Sequence, residues 1–282
     1  MTRAHITYGF VGGLREDYFI THNNQAHLRK LGGNVLYSAV GAHLWVEGLG
    51  LVSRVGENYP QERFAEIRRQ GFDTSGLRII PGKHNTLTFY AYVNQEERVD
   101  SKPAEHFARI GQPLPPELVD YTTSTEGQES RTEFMPLAVR PTDVPDFYLE
   151  ARGFHLAPCD YMTHATTPAL LRLAGVHVIT CDPSLRYMQP SYAKEVAHVV
   201  NGLDAFLPSE AEVRSFFRED VRDLWEAAEA LGAMGAAHIV IKLGASGQLL
   251  YDVAGKRRWQ VPAYAVKVKD VTGAGDAYCG GF

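Results

Sequence analysis

Apolar, β-branched runs and segments of helical period take strict turns along most of this 282-residue chain. "HITYGFVG" near the start reads as a buried strand and "NVLYSAVGAHLWVEG" (34–48) as a helix. "LGLVSRVG" is the next strand, followed by "PQERFAEIRRQG", where Pro60 and Gly71 are start and stop signals for a helix. The rhythm resumes with "GFHLAP", "TTPALLRLAG", "VHVITCDP", "YAKEVAHVVN" and "LDAFLPS". It ends with the helices "EAEVRSFFRE" and "VRDLWEAAEALGAMG" and the strand "AHIVIKLG". Such alternation suits few architectures. It predicts an α/β fold with a mostly parallel central sheet covered by helices on both faces.

Two stretches break the rhythm. "REDYFITHNNQAHLRK" (15–30) and "NTLTFYAYVNQEERVD" (85–100) are β-rich, with "HNNQ" as a turn in the first. They predict either a small β lid over one end of the main sheet or ordinary edge hairpins. A third stretch, 122–147, is polar, bears prolines and exceeds ordinary connections in length, so it reads as an insertion or mobile excursion. The whole is expected to be one domain.

Charge and cysteine usage narrow the function classes. A net charge of -5 with no long basic run argues against nucleic acid or an anionic membrane as main partner. Three scattered cysteines without a CxxC pair suggest neither a zinc site nor a disulfide framework. The eleven histidines contain no HExxH or HxH spacing. With no apolar stretch of membrane-spanning length, the expected location is the cytoplasm.

The chemistry concentrates in "DVTGAGDAYCGGF" (270–282). Glycines between a strand and a helix let main-chain N–H groups converge, and the helix N-terminus adds partial positive charge, which together can hold phosphate oxygens. Asp276 in the first helical turn is placed to take a proton from an attacking hydroxyl. The same composition also describes a plain turn. A dinucleotide fingerprint fails on spacing, since Gly280 comes five residues after Gly275, and a Walker loop fails for want of GK[ST]. Elsewhere, Lys242 ends a buried apolar run, an unusual place for an idle lysine. Gly32 and Gly33 suit close substrate approach or tight helix packing equally, and Asn34 is a candidate cap. Asp17 reads as a ligand contact or an exposed loop acid, and Arg186 as a ligand contact or a partner of Asp182.

"DVTGAGD" resembles the DTxGAGD signature of the ribokinase-like (PfkB) carbohydrate kinase family. In the same order, "LGGNVLYSAVGAHLWVEGLGLVSRVGENYP" resembles that family's first signature and "VHVITCDPSLR" its DxNxR segment. "LDAFLPSEAEV" resembles its NxxE region and "IVIKLGASGQLLYD" its nucleotide element. The resemblance implies a ribokinase-like fold and an ATP- and Mg2+-dependent kinase acting on an alcohol group of a sugar, sugar acid or related small molecule. It implies Asp276 as general base, with Gly273, Ala274 and Gly275 as anion hole and Lys242 and Gly244 near the ATP phosphates. Asp17, Gly32, Gly33 and Arg186 would bind the acceptor, and Glu212 would organise Mg2+ through water. The β-rich stretches become a lid, which in this family often forms a homodimer contact.

This chain departs from the family at several positions. Ser209 replaces the asparagine of NxxE, Ser184 replaces that of DxNxR, and Tyr37 stands where ribokinases place a sugar-binding asparagine. The first two bear on metal handling, and Tyr37 argues against simple ribose. Only residues 277–282 follow Asp276, whereas the family continues through further helices and adenine loops, so a longer chain is expected. The alternative reading is a kinase-shaped binding or regulatory protein with weak catalysis. A nicotinamide-dependent enzyme is disfavoured by the missing fingerprint.

Overall fold

The computed structural model describes residues 5–94, 97–218 and 223–282. β1 (Tyr8–Val11) is followed by β2 (Arg15–Ile20) and β3 (Ala26–Gly32), joined by a tight turn in which Asn24 N–H donates to Thr21 O. Then come α1 (Asn34–His43), β4 (Leu49–Gly56), α2 (Glu62–Arg69) and β5 (Phe72–Ile80). β6 (Leu87–Tyr92), β7 (Arg98–Val99) and α3 (Pro103–Arg109) complete the first half. The second half runs β8 (Gly153–Leu156), α4 (Tyr161–Leu173), β9 (Val178–Cys181), α5 (Ala193–Val200) and β10 (Ala205–Phe206). It closes with α6 (Glu210–Phe217), α7 (Leu224–Gly232), β11 (His238–Lys242), β12 (Gln248–Asp252), β13 (Arg257–Val261) and α8 (Ala274–Gly281).

Among the described residues, nine strands form one sheet in the order β13-β12-β11-β10-β9-β8-β1-β4-β5. Pairing is parallel from β11 to β5, and β12 and β13 add an antiparallel edge. This is the mostly parallel α/β sheet that the alternation predicts. Its central strands are sealed on both faces, as parallel strands require. One core gathers Leu156, Ile179, Phe206 and Ile239 beneath α4 to α7, and another packs Phe10, Leu51, Val35 and Ile67 with α1 and α2.

A separate four-stranded sheet has the order β3-β2-β6-β7. Alternate residues divide its two faces. Tyr18, Ile20, Phe89 and Ala91 pack with Phe107 of α3 and with Leu118. The opposite parity carries Arg15, Asp17, Thr88 and Tyr90, and this polar face meets the end of the main sheet. Tyr92 shares a 2.6 Å hydrogen bond with Thr272, joining the small sheet to the glycine turn.

Three details differ from the sequence reading. α1 stops at His43 rather than Gly48, leaving Leu44 and Trp45 exposed. β5 and β13 are strands that the reading passed over. Asn34 is the first helical residue rather than a cap: its Oδ1 accepts from Gly13 N–H at 2.9 Å while its amide donates to Pro158 O, tying together the loops after β1 and β8. Residues 122–147 form turns and a short 3-10 segment, with Ala138 and Val139 buried against α4. Among the described residues, no helix is long and apolar enough to cross a membrane.

α8 lies against α1 at glycine contacts. A Cβ on Gly280 would overlap the Ser38 carbonyl, and one on Gly41 would overlap the Ala277 carbonyl. Backbone cannot step aside as a side chain can. Gly280→Ala is therefore expected to cost about 1–3 kcal/mol through overpacking, read as a fall in the urea midpoint. A loss below ~0.5 kcal/mol, the range of neutral surface changes, would show that the two helices part freely.

Candidate active site

The glycine turn delivers α8 to the carboxyl end of the main sheet. Gly273 sits at φ 72, a left-handed conformation that glycine adopts without strain, and a Cβ there would collide with the Tyr37 ring. Ala274 N–H donates to Val271 O at 3.1 Å and Ala277 N–H to Gly273 O at 2.8 Å, while the intervening amides of Gly275 and Asp276, in a first helical turn, are left to bind an anion. Lys242, the last residue of β11, approaches from the side. Its Cε would be the nearest heavy atom, at 4.0 Å, to a Cβ on Gly275. Gly273, Ala274, Gly275 and Lys242 thus come together. Gly244, at φ 56, opens the short turn just beyond Lys242.

Asp276 is half-buried at this helix start and has no ion-pair partner among the described residues. Burial raises its pKa to about 6, while Lys242 and Arg98 pull it back and Glu212 and Asp17 push it further up. A carboxyl poised there is mostly ionised at neutral pH yet basic enough to accept a proton.

Lys242 does not stand alone. Its Nζ donates to Asp182 Oδ2 at 2.5 Å and to Cys279 Sγ at 3.2 Å, and Cys279 Sγ in turn lies 3.2 Å from the same Oδ2. Burial disfavours the ammonium, but Asp182 first and then its other neighbours more than offset this, so Lys242 stays firmly protonated. Asp182 pairs with Lys242, not with Arg186, which corrects the local pairing considered from sequence. Arg186 instead donates to Thr125 Oγ1 at 2.9 Å.

Glu212 is buried at the third position of α6. Its Oε2 accepts from Ser209 N–H and Ser209 Oγ, both at 2.7 Å, and Ser209 Oγ accepts from Glu212 N–H at 3.3 Å. The serine that replaces the family's asparagine therefore closes a capping box. Burial raises the Glu212 pKa, partly offset by Lys242. Among the described residues, no group of three or more His, Cys, Asp or Glu forms an all-protein metal cage. Two hard carboxylates, Asp182 and Glu212, nevertheless flank Lys242, and Asp182 Oδ1 is buried without a hydrogen-bond partner. That donor set fits Mg2+, which binds through few carboxylates, waters and substrate phosphates.

The small sheet supplies the opposite wall. Asp17 is only 1% exposed, on β2 rather than in a loop. Its Oδ2 accepts from Tyr37 OH at 2.5 Å and its Oδ1 from Thr88 Oγ1. Burial raises its pKa and these two bonds pull it back. A Cβ on Gly32 would overlap the Asp17 carboxylate, so this glycine admits the acid. Gly33, at φ 105, lies against the Gly13 carbonyl and serves backbone packing. The sequence reading missed Arg98, whose guanidinium lies 4.1 Å over the Tyr90 ring and whose charge reaches Asp276. It also missed Arg15, 7% exposed and close enough to favour the Asp17 carboxylate. Their signal was alternation: Arg15 shares a strand face with Asp17.

Residues 147–282 match the family described as pfkB family carbohydrate kinase. That match spans just under half of the chain. The cytidine kinase of Thermococcus kodakarensis is 28% identical to this protein over 255 residues, 89% of this chain and 78% of that protein. A putative ribokinase II from E. coli, solved in complex with ATP and Mg2+, matches with a TM-score of 0.68 at 16% identity, covering 98% of this chain and 84% of that one. The adenosine kinase of Sinorhizobium meliloti matches with a TM-score of 0.68 at 16% identity, covering 99% and 86%. The structural matches establish the ribokinase-like fold. The PfkB match and the kinase relatives support a phosphotransferase.

Proposed function

We propose that this PfkB-type chain transfers the terminal phosphoryl group of ATP to a hydroxyl of a sugar- or nucleoside-like acceptor held between the small sheet and α8. The observation that carries this reading is the placement of Asp276 in the first turn of α8, beside Lys242 and across from Asp17. Phosphoryl transfer is chiefly positioning and charge stabilisation, and the site offers both. Asp276 accepts the acceptor's proton as its oxygen attacks. The amides of Gly275 and Asp276 and the Lys242 ammonium hold the charge on the migrating group. Asp17 fixes a second acceptor hydroxyl, exchanging the bond it now takes from Tyr37. Asp182 and Glu212 would hold Mg2+, in part through water, and the ion would neutralise phosphate charge when bound.

The experiment is a coupled ADP assay of the purified protein with Mg-ATP against sugars, sugar acids and nucleosides. ADP release that depends on the acceptor supports the kinase reading. Ligand-induced stabilisation without ADP from any acceptor would replace it with the binding-protein reading.

The raised pKa of Asp276 sets a pH dependence. Protonated Asp276 cannot accept a proton, and the deprotonated fraction grows as pH climbs through about 6. kcat/KM is therefore expected to rise through about pH 6 and level off above it, following the free enzyme's base. A profile flat across this range would remove Asp276 from the proton transfer.

A further inference from the structure

Asp17, the acid assigned to the acceptor, is covered by the protein's own side chains. It is 1% exposed, and both of its oxygens are engaged: Oδ2 accepts from Tyr37 OH at 2.5 Å and Oδ1 from Thr88 Oγ1. With so little surface left, an acceptor hydroxyl reaches this carboxylate only where one donor gives way. The two donors are not equally free. Thr88 is 5% exposed and lies opposite Asp17 in the parallel pairing of β2 with β6, so the sheet fixes its backbone. Tyr37 belongs to α1 and is only half-buried, and its ring can swing about its side-chain torsions without disturbing the helix. Tyr37 is the donor that can leave.

The same side chain spans the interval between the two acids that the acceptor must bridge. Its hydroxyl is at Asp17, while the root of its ring packs on Gly273, at the turn that opens α8. Gly32 makes room for the pair, since a Cβ there would crowd both the Asp17 carboxylate and the Tyr37 oxygen. Burial raises the Tyr37 pKa, and Asp17, Tyr90 and Asp276 raise it further, so the phenol keeps its proton and remains a donor. A phenol and an alcohol offer a carboxylate the same group, a single O–H.

Resting on the kinase reading, we infer that Tyr37 is an internal competitor of the acceptor. Its hydroxyl holds the place at Asp17 that an acceptor hydroxyl takes, and it swings away, lifting its ring from Gly273, as the acceptor binds. A carboxylate this deeply buried needs a donor, because leaving it bare carries the full desolvation penalty. Tyr37 supplies that donor, and the same bond opposes entry. The apparent affinity for the acceptor is its intrinsic affinity reduced by the fraction of molecules in which Tyr37 has let go.

The test is Tyr37→Phe, which removes one oxygen and keeps the ring on Gly273. The probe is whichever of cytidine, adenosine, D-ribose and D-fructose 1-phosphate the wild-type protein uses with the highest kcat/KM. Its KM is expected to fall by roughly 10-fold or more in the variant, since a hydrogen bond to a charged group no longer competes. KM for ATP is expected to move by less than about threefold, because the change is confined to acceptor binding. Calorimetric Kd for the probe without nucleotide should tighten in parallel, while Tm of the variant without probe falls below that of the wild type. A packing role alone would weaken stability and affinity together, so the opposite signs are the signature. An acceptor KM and Kd that stay unchanged or rise overturn the inference and leave the kinase reading standing. A crystal structure of the wild-type protein with the probe gives a readout that needs no variant: a probe hydroxyl should replace the Tyr37 oxygen at Asp17 Oδ2. Tyr37 still donating to Asp17 beside the bound probe overturns the inference. No ADP from any of the four probes would instead overturn the kinase reading, and this inference with it.

Discussion

Asp276→Asn is expected to lower kcat by about 10²–10⁴-fold, the usual contribution of a positioned general base, while leaving KM for ATP nearly unchanged. Asparagine keeps the shape of the side chain and removes only its basicity, so the α8 amides and Lys242 still hold the nucleotide. Stability offers an independent check. The fold holds the Asp276 proton more tightly than the unfolded chain does, since its pKa is raised from 3.8 to about 6. Its ionisation therefore costs stability as pH rises through that window, and the cost is fully present above it. The neutral asparagine escapes that cost, so the variant is expected to melt no lower than the wild type at pH 7. A variant that keeps near-native turnover would show that the proton leaves by another route. One that loses activity only by unfolding would leave the base unassigned.

Lys242→Ala is expected to be the most damaging single change to the fold around the site. It leaves Asp182, whose side chain is 3% exposed, as an uncompensated buried charge. Breaking a buried ion pair from one side costs about 3–5 kcal/mol. Among molecules that remain folded, loss of a charge donor to the transferring group is expected to lower kcat by about 10²–10³-fold. The double variant Lys242→Met with Asp182→Leu separates the two effects. Replacing the pair with apolar side chains is expected to recover most of the stability, since such swaps are often neutral, while activity stays lost. Equilibrium unfolding in urea and the ADP assay read the two quantities. A single-variant loss below ~1 kcal/mol, the range of a solvent-exposed pair, would contradict a buried ion pair at the phosphate end.

The fold was legible where burial writes a pattern. β1, β4, β8 and β11 carry apolar runs because parallel strands are covered on both faces, and these were visible as such. β13 escaped notice because all of its residues, "RRWQV", are exposed at the sheet edge and show no apolar run. β5 is the opposite edge and mostly half-buried or exposed.

The site was legible where the chemistry is local. A glycine turn, its acid and the helix that follows lie within a few residues, and a lysine ending a buried strand is conspicuous by itself. Pairings made by the fold were not legible. Lys242 and Asp182 are 60 residues apart, and Thr272 and Tyr92 are 180 apart. Asp17 gave the same lesson in reverse: its short-range context suggested a loop acid, but strand pairing with β6 buries it under Thr88.

The most direct measurement is a crystal structure of the protein with ADP, Mg2+, aluminium fluoride and a phosphorylatable acceptor. The fluoride group, standing for the phosphoryl in flight, should lie about 2.7–3.1 Å from amides of the first turn of α8, with the acceptor hydroxyl in line and facing the Asp276 carboxylate. A fluoride bound away from those amides, or an acceptor hydroxyl turned from Asp276, would contradict the account.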